Sequence, residues 1–391
     1  MTNEIRGYLR GELLKTAQMF GTACFVLFLT LSIPPAALAG TFGPPKFYPA
    51  GSRPESIATA DFNHDGKLDL GVVDYSNQVS ILLGNGDGTF QAPRKYAVGQ
   101  GTFLIDIGVG DFNEDGNIDI VATVSLVGNN GGSVALLLGK GDGTFERPKY
   151  INAGNSPLSV AVADLNGDHH LDLWVGGNGS STVLLGKGDG TFGPPTYYGV
   201  FAASYGVAIS DFNGDGKPDA AVTSLEENLV YVFLGNGDGT FQAARQIDVG
   251  ADYPFSVVPA DFNHDGKMDL AVSDSASNTV SILLGNGDGT FQPPYLAYGG
   301  VSPARLKAAK ITADSKLDIV VADYGNSSGQ GAGIALLTGN GDGTFGFAGP
   351  FRAGKNPTDV AVGRFNADKK LDLAVTDSGS KTVSILLNTT K

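Results

Sequence analysis

From residue 54 onward the chain alternates short apolar or period-two runs with breaks rich in Gly, Asn and Asp. In the first such block, residues 56–60, 70–73, 79–83 and 95–98 read as four strands. DFNHDGKLD separates the first two, and GNGDGTF separates the last two. The block then recurs. Its opening motif returns as DFNEDGNID at Asp111, DLNGDHHLD at Asp164, DFNGDGKPD at Asp211 and DFNHDGKMD at Asp261. Two worn copies follow, KITADSKLD from Lys310 and RFNADKKLD from Arg364, which makes seven units at a period near 50. Four antiparallel strands per unit predict an all-β, seven-bladed β-propeller; a β-solenoid is the rival, with shorter coils and parallel strands.

The second motif, GNGDGTF or GKGDGTF, starts at Gly84, Gly139, Gly186, Gly235, Gly285 and Gly339, one copy short of seven. The last unit stops at residues 384–391, where its copy would begin, while residues 40–48 read GTFGPPKFY, the tail of that motif plus a fourth strand. The N-terminal strand is therefore expected to complete the last blade and close the ring, removing an open junction.

The first 39 residues have a different pattern. Arg6, Arg10 and Lys15 precede the apolar run 19–33, then Pro34-Pro35 and Ala37-Leu38-Ala39. This predicts a secretory signal at 1–39, cleaved after Ala39, and a propeller over 40–391. An uncleaved anchor is the alternative, but the run is shorter than the ~20 apolar residues of a span. No later segment is long enough to cross a membrane as a helix, and no separate arm is expected outside the array. A secreted or periplasmic location follows. The single cysteine, Cys24, lies in the leader, so disulfides would not staple the mature chain.

Composition sharpens this picture in two respects. Glycine at 57 of 391, with an ordinary 42% of hydrophobic residues, suits a folded chain full of tight turns. Net charge is −14; losing three basic and two acidic leader residues makes it −15, which argues against nucleic acid and toward cations.

The opening motif supplies the cation chemistry. Positions 1, 3, 5 and 9 carry oxygen side chains, position 6 is usually Gly, and position 7 offers its carbonyl, a pattern suited to calcium. In order, the five intact loops offer Asp61, Asn63, Asp65, Lys67 and Asp69; Asp111, Asn113, Asp115, Asn117 and Asp119; Asp164, Asn166, Asp168, His170 and Asp172; Asp211, Asn213, Asp215, Lys217 and Asp219; Asp261, Asn263, Asp265, Lys267 and Asp269. Position 12, Glu in an EF-hand, is Val or Ala here, and a strand follows in place of a helix. Simple hairpin turns are the bland alternative, but three carboxylates within nine residues repel unless neutralised. His169 stands at the glycine position of the third loop and should weaken that site. Lys310 and Arg364 replace the first Asp in the worn copies, whose charges are expected to pair with Asp314 and Asp318, or Asp368 and Asp372. About five structural Ca²⁺ sites are therefore expected. GNGDGTF reads as a turn whose Phe packs between blades; a ligand role for Asp87 is the lesser alternative.

The DxNxDGxxD loops with their TFG and TFQ segments resemble FG-GAP or VCBS repeat proteins, including the integrin α-subunit propeller. The resemblance covers residues 40–391. It implies seven blades with calcium in five, and a family that includes adhesion modules, lectins and some polysaccharide lyases or dehydratases.

Loops between blades, and those joining second to third strands, share the face opposite the calcium loops. There the copies differ most, offering Arg53, Tyr75, Phe103, Tyr205, Tyr253, Arg305, Tyr324 and Lys355 as ligand-face candidates, with Phe255, Glu226 and Glu227 nearby. Most of these could equally be solvated loop residues. Trp174, the sole tryptophan, is expected in the core. The four histidines, His64, His169, His170 and His264, all fall in calcium loops, so no Ser-His-Asp set can be assembled. The favoured expectation is a monomeric binding module for a glycan or extracellular protein. The alternative is a polysaccharide lyase using Tyr205, Arg305 and Lys307.

Overall fold

The computed structural model describes residues 41–99, 102–126, 131–326 and 328–390; the predicted leader lies outside them. These residues form 28 strands and no helix, arranged in seven antiparallel sheets of four. The first blade runs Pro54–Ala60, Asp69–Asp74, Gln78–Leu82 and Arg94–Ala97, within two residues of the pattern-based bounds. Each inner strand packs on the next, and Pro357–Gly363 of the seventh blade packs back on Pro54–Ala60 of the first. The molecule is a seven-bladed β-propeller.

Second strands such as Asp69–Asp74 and Asp269–Asp274 are buried at every position. They lie mid-sheet with a neighbouring blade on each face, so they read as continuous apolar runs. The core is accordingly divided into wedges between blades. One joins Ile81 and Leu83 of the first blade to Ile120, Leu137 and Phe145 of the second. Another joins Leu70 and Leu82 to Ala374 and Ile385 of the seventh. Trp174 is fully buried, with Tyr198 stacked at 5.4 Å and Phe241 edge-on at 4.7 Å.

The second motif is a turn with an inter-blade phenylalanine. Gly84 bridges Phe90, and the Asp87 carboxylate accepts the Thr89 N–H at 2.9 Å. Phe90 meets Phe365 of the preceding blade at 5.5 Å, and Phe145 meets Phe62 at the same distance. The motif's first glycine is there for space: a Cβ on Gly84 would stand 2.2 Å from the Leu68 carbonyl oxygen.

In the seventh blade the sheet order places Lys46–Pro49 beside Thr382–Leu386. Phe42 bridges Asn388, and Gly43 donates to the Leu387 carbonyl at 2.8 Å, as Gln91 does to Leu83 in the first blade. Asn388 stands where other blades have glycine. Its side-chain amide donates to the Ile311 carbonyl of the sixth blade at 2.9 Å and to Leu371 at 3.1 Å. Between the first and second blades the corresponding bond runs from the Gly143 N–H to the Phe62 carbonyl.

Candidate functional site

In the first loop, Asp61 accepts backbone N–H groups from Asn63, Asp65 and Gly66. Asn63 accepts from Asp65, and Asp65 from Lys67. Such Asx turns bend nine residues into a hairpin cap with three oxygen-bearing side chains on it. The other intact loops repeat the scheme; in the fourth, Asp211 accepts from Gly216 at 2.7 Å and Asp215 from Lys217 at 3.0 Å. Position 6 is left-handed in all five, including His169 at φ 72°, where a non-glycine residue is strained. Neighbouring loops also touch: His64 Nε2 lies 2.9 Å from Asn117 Oδ1, and His170 Nδ1 lies 2.5 Å from Glu114 Oε1.

Position 9 does something the motif alone did not reveal. Asp69 Oδ2 accepts the Phe62 N–H at 2.9 Å, and its Oδ1 accepts the Gly84 N–H at 2.7 Å. The carboxylate thus clasps the loop to the following turn. The same pair of acceptors recurs in all seven blades, including Asp318 and Asp372 of the worn copies. Burial, opposed by those two bonds and reinforced by Asp65 and Asp61, pushes Asp69 up to about 6. Asp119 and Asp172 are likewise raised to about 6, chiefly by burial.

Among the described residues, no three His, Cys, Asp or Glu side chains form a ready metal cluster. The donor chemistry nevertheless fits a hard cation. All the side-chain donors are oxygens, and they alternate along one turn, as a hard cation requires. In the worn seventh loop, the Arg364 guanidinium donates to the Lys369 carbonyl at 3.1 Å, while Asp372 is spent on backbone N–H groups. The expected pairing of Arg364 with those aspartates is therefore replaced by a side chain-to-backbone bond.

On the opposite face the structure gathers five of the eight ligand-face candidates around the channel mouth, with a sixth, Arg305, buried below them. The Arg53 guanidinium lies over the Tyr75 ring at 4.3 Å, and Tyr75 meets Phe103 at 4.3 Å. Tyr205 stacks on Phe255 at 4.9 Å, and both pack with Tyr253 against Leu158 and Leu225. Tyr253 holds φ 62°, where the corresponding residues of three other blades are Ser156, Ser302 and Asn356. The left-handed turn is thus shared by these blade connections, and only Tyr253 fills it with a bulky aromatic residue, at a cost in backbone strain. Glu55 links the two groups: its Oε1 lies 2.6 Å from Arg53 Nε, and its carbonyl accepts from Arg305 at 3.3 Å. Burial, countered by Arg53 and Arg305, pushes Glu55 up to about 7. Tyr324 and Lys355 remain in the loops of the last two blades, bonded there through their backbones. Glu227 is spent on Ser224 and Tyr231.

Below the mouth, Arg305 is 6% exposed and lies 3.4 Å from Asp106. Ser56 Oγ sits 2.8 Å from Asp106 Oδ1 and 2.7 Å from Asp359 Oδ2, joining blades one, two and seven. Burial opposes the Arg305 charge, but Asp106, Asp359 and Glu55 outweigh it and raise its pKa. The cavity here is about 100 Å³ and is lined by Ser56, Asp106, Tyr205, Arg305, Lys307 and Asp359. A polar cavity of this size holds a small cluster of waters.

A second set of aspartates, absent from the motif reading, braces this face. Asp74, Asp274, Asp323 and Asp377 end the second strands and are buried. Asp74 accepts the Arg53 N–H at 3.0 Å and Asp377 the Gly354 N–H at 2.9 Å. The signal was present in the sequence: an Asp recurs thirteen residues after the loop start in four of the seven units.

Tandem loop-bearing blades and a variable, aromatic-lined mouth define the class: a repeat-built β-propeller with motif loops bracing one face and aromatic side chains gathered on the other. The FG-GAP-like repeat pattern matches residues 61–122, 124–175, 164–222, 211–272 and 310–375. The chain belongs to the FG-GAP-like repeat family. No curated sequence is similar enough to count as a relative. Solved structures share the fold at low identity. BBS1N, solved in complex with ARL6DN, has TM-score 0.59 and 14% identity over 86% of this chain and 94% of its own. An Agrocybe aegerita lectin described as recognising non-reducing terminal N-acetylglucosamine has TM-score 0.52 and 20% identity over 90% and 87%. A putative 6-phosphogluconolactonase from Bacteroides uniformis has TM-score 0.58 and 13% identity over 86% and 95%.

Proposed function

We propose that this protein is an exported, calcium-braced propeller that binds a glycan or an extracellular protein at the mouth formed by Arg53, Tyr75, Phe103, Tyr205 and Tyr253. The observation that carries this reading is the aromatic–arginine cluster itself, including the strained Tyr253, on the face where the blades differ. Aromatic and Arg side chains are the usual energetic anchors of binding surfaces. Similar folds solved as a lectin and as a protein-bound propeller agree with a binding role without choosing between ligands. Calcium would be held by Asp61, Asn63, Asp65 and the Lys67 carbonyl, with Asp69 behind them, and by the equivalent residues of the other intact loops. It would supply charge neutralisation to the braced face and take no part at the mouth. The leader, residues 1–39, supports export, and a chain whose only cysteine is in that leader suits an oxidising compartment.

The test is retention of purified protein on immobilised polysaccharides and candidate surface proteins, with Arg53→Ala and Phe103→Ala as probes. Retention that both variants lose supports the reading; retention unchanged in both places the ligand elsewhere.

The lyase alternative draws support from Tyr205, Arg305 and Lys307 lining one cavity. Against it, burial pushes Tyr205 up to about 12, far from a general base at neutral pH, and Arg305 is engaged with protein groups. Release of unsaturated sugar ends in the same assay would favour the lyase.

A further inference from the structure

The large apolar side chains that stand exposed, Phe47, Tyr150, Tyr197, Tyr295, Leu296, Tyr298 and Phe347, all lie on outer strands. An outer strand is a sheet edge with unpaired N–H and C=O groups, which proteins guard with charge, Pro, Gly or bulges. Six of the seven edges here are guarded. Lys46–Pro49, Arg94–Ala97, Lys149–Asn152 and Arg245–Asp248 carry Lys or Arg. Thr196–Ala203 contains Gly199 beside a register shift, and Phe345–Phe351 contains Gly349-Pro350.

The exception is Tyr295–Tyr298, YLAY, which has none of these devices. Its Tyr295, Leu296 and Tyr298 are 44%, 43% and 51% exposed, and Tyr298 extends the apolar surface by meeting Phe347 of the next blade at 4.9 Å. Residues 289–304 hold no charged side chain, nor do residues 343–351, in a chain of net charge −14. Two copies meeting there would bring no carboxylates of these segments together, and repulsion between more distant charges is screened over ~8 Å at physiological salt.

We propose that Tyr295–Tyr298 is the contact strand of a two-fold homodimer. Each copy's edge pairs antiparallel with its counterpart, so that two blades join into one eight-stranded sheet. A two-fold contact consumes the edge on both partners and closes, so it does not propagate into fibres. Pro293-Pro294 and Gly299-Gly300 bound the strand and limit pairing to its four residues. So short an interface makes a reversible, concentration-dependent dimer and leaves the channel mouth free.

Sedimentation velocity from low micromolar to several hundred micromolar tests this with wild type, Leu296→Lys and, as a control on a guarded edge, Gln246→Lys. Wild type and Gln246→Lys should shift toward dimer with concentration. Leu296→Lys should associate at least tenfold more weakly, with unchanged Trp174 fluorescence and melting temperature because residue 296 is exposed. A wild type that stays monomeric throughout, or a Leu296→Lys that dimerises like wild type, overturns the proposal. Monomeric wild type that binds a polysaccharide which Leu296→Lys does not would overturn it too and assign the strip to a glycan.

Discussion

Replacing Asp372 and, separately, Asp269 by alanine isolates the clasp at position 9 from any metal. Both carboxylates are fully buried. Asp372 accepts Phe365 N–H at 3.0 Å and Asn388 N–H at 2.8 Å; Asp269 accepts Phe262 and Gly285, both at 2.8 Å. Alanine strands two buried donors, each costing about 1–3 kcal/mol. Removing a desolvated carboxylate, whose pKa burial has raised at both sites, returns part of that. The net expectation is about 3 kcal/mol per site, or roughly 4 °C in melting temperature for a chain of this size. Trp174, the only tryptophan, reports unfolding by fluorescence. In chelator the two variants should lose equally. With calcium added, Asp269→Ala should fall further behind, because its loop keeps Asp261 at position 1 while the seventh loop has Arg364. An Asp372→Ala variant that melts with wild type would refute the clasp. An Asp269→Ala loss seen only with calcium would reduce position 9 to a ligand.

Other outcomes follow from the same geometry. After chelation, adding calcium at ten times a site Kd of ~10⁻⁴–10⁻³ M should stabilise by about 1.4 kcal/mol per site. Titration calorimetry should count about five sites, one fewer in Asp61→Asn, and an unchanged melting temperature would exclude calcium bracing. Burial pushes Asp377 up to about 7 from an ordinary 3.8, so between those values the folded chain holds the proton more tightly than the unfolded chain. That contribution to stability is therefore present at low pH and is lost as pH rises toward 7, by at most about 4 kcal/mol. Asp377→Asn should flatten the fall in melting temperature between pH 5 and pH 8, measured in chelator. Gly84→Ala drives a Cβ to 2.2 Å from a backbone oxygen and should cost about 3 kcal/mol or more, read as a lower denaturant midpoint.

The blade pattern was readable because each blade repeats one problem: a mid-sheet strand buried on both faces, flanked by turns that need glycine. Strand bounds such as Gln78–Leu82 follow from that periodicity. The mouth was readable only as a set of loops. Which of their residues meet depends on how inner strands from different blades converge, so Arg53 and Arg305 come together through Glu55 while Tyr324 and Lys355 do not join them. The Asp106–Ser56–Asp359 bridge spans blades one, two and seven, and no local spacing announces it.

The seven copies also work as a substitution series within one molecule. Position 1 changes from Asp to Lys310 and Arg364 in the worn loops, and position 6 from Gly to Ser315 and Lys369. Positions 5 and 9 remain Asp in all seven. Position 5 accepts the N–H of position 7 in the worn loops as in the intact ones, Lys316 on Asp314 and Lys370 on Asp368. Position 9 clasps the loop to the next turn in every blade. Both therefore have work that requires no cation, and their presence in a loop says little about metal. Position 1 is different. Its carboxylate draws in the N–H groups of positions 5 and 6, and its loss in the worn copies leaves the hairpin standing. The residues on which a metal reading turns are thus Asp61, Asp111, Asp164, Asp211 and Asp261. A substitution there should change cation binding far more than it changes the fold.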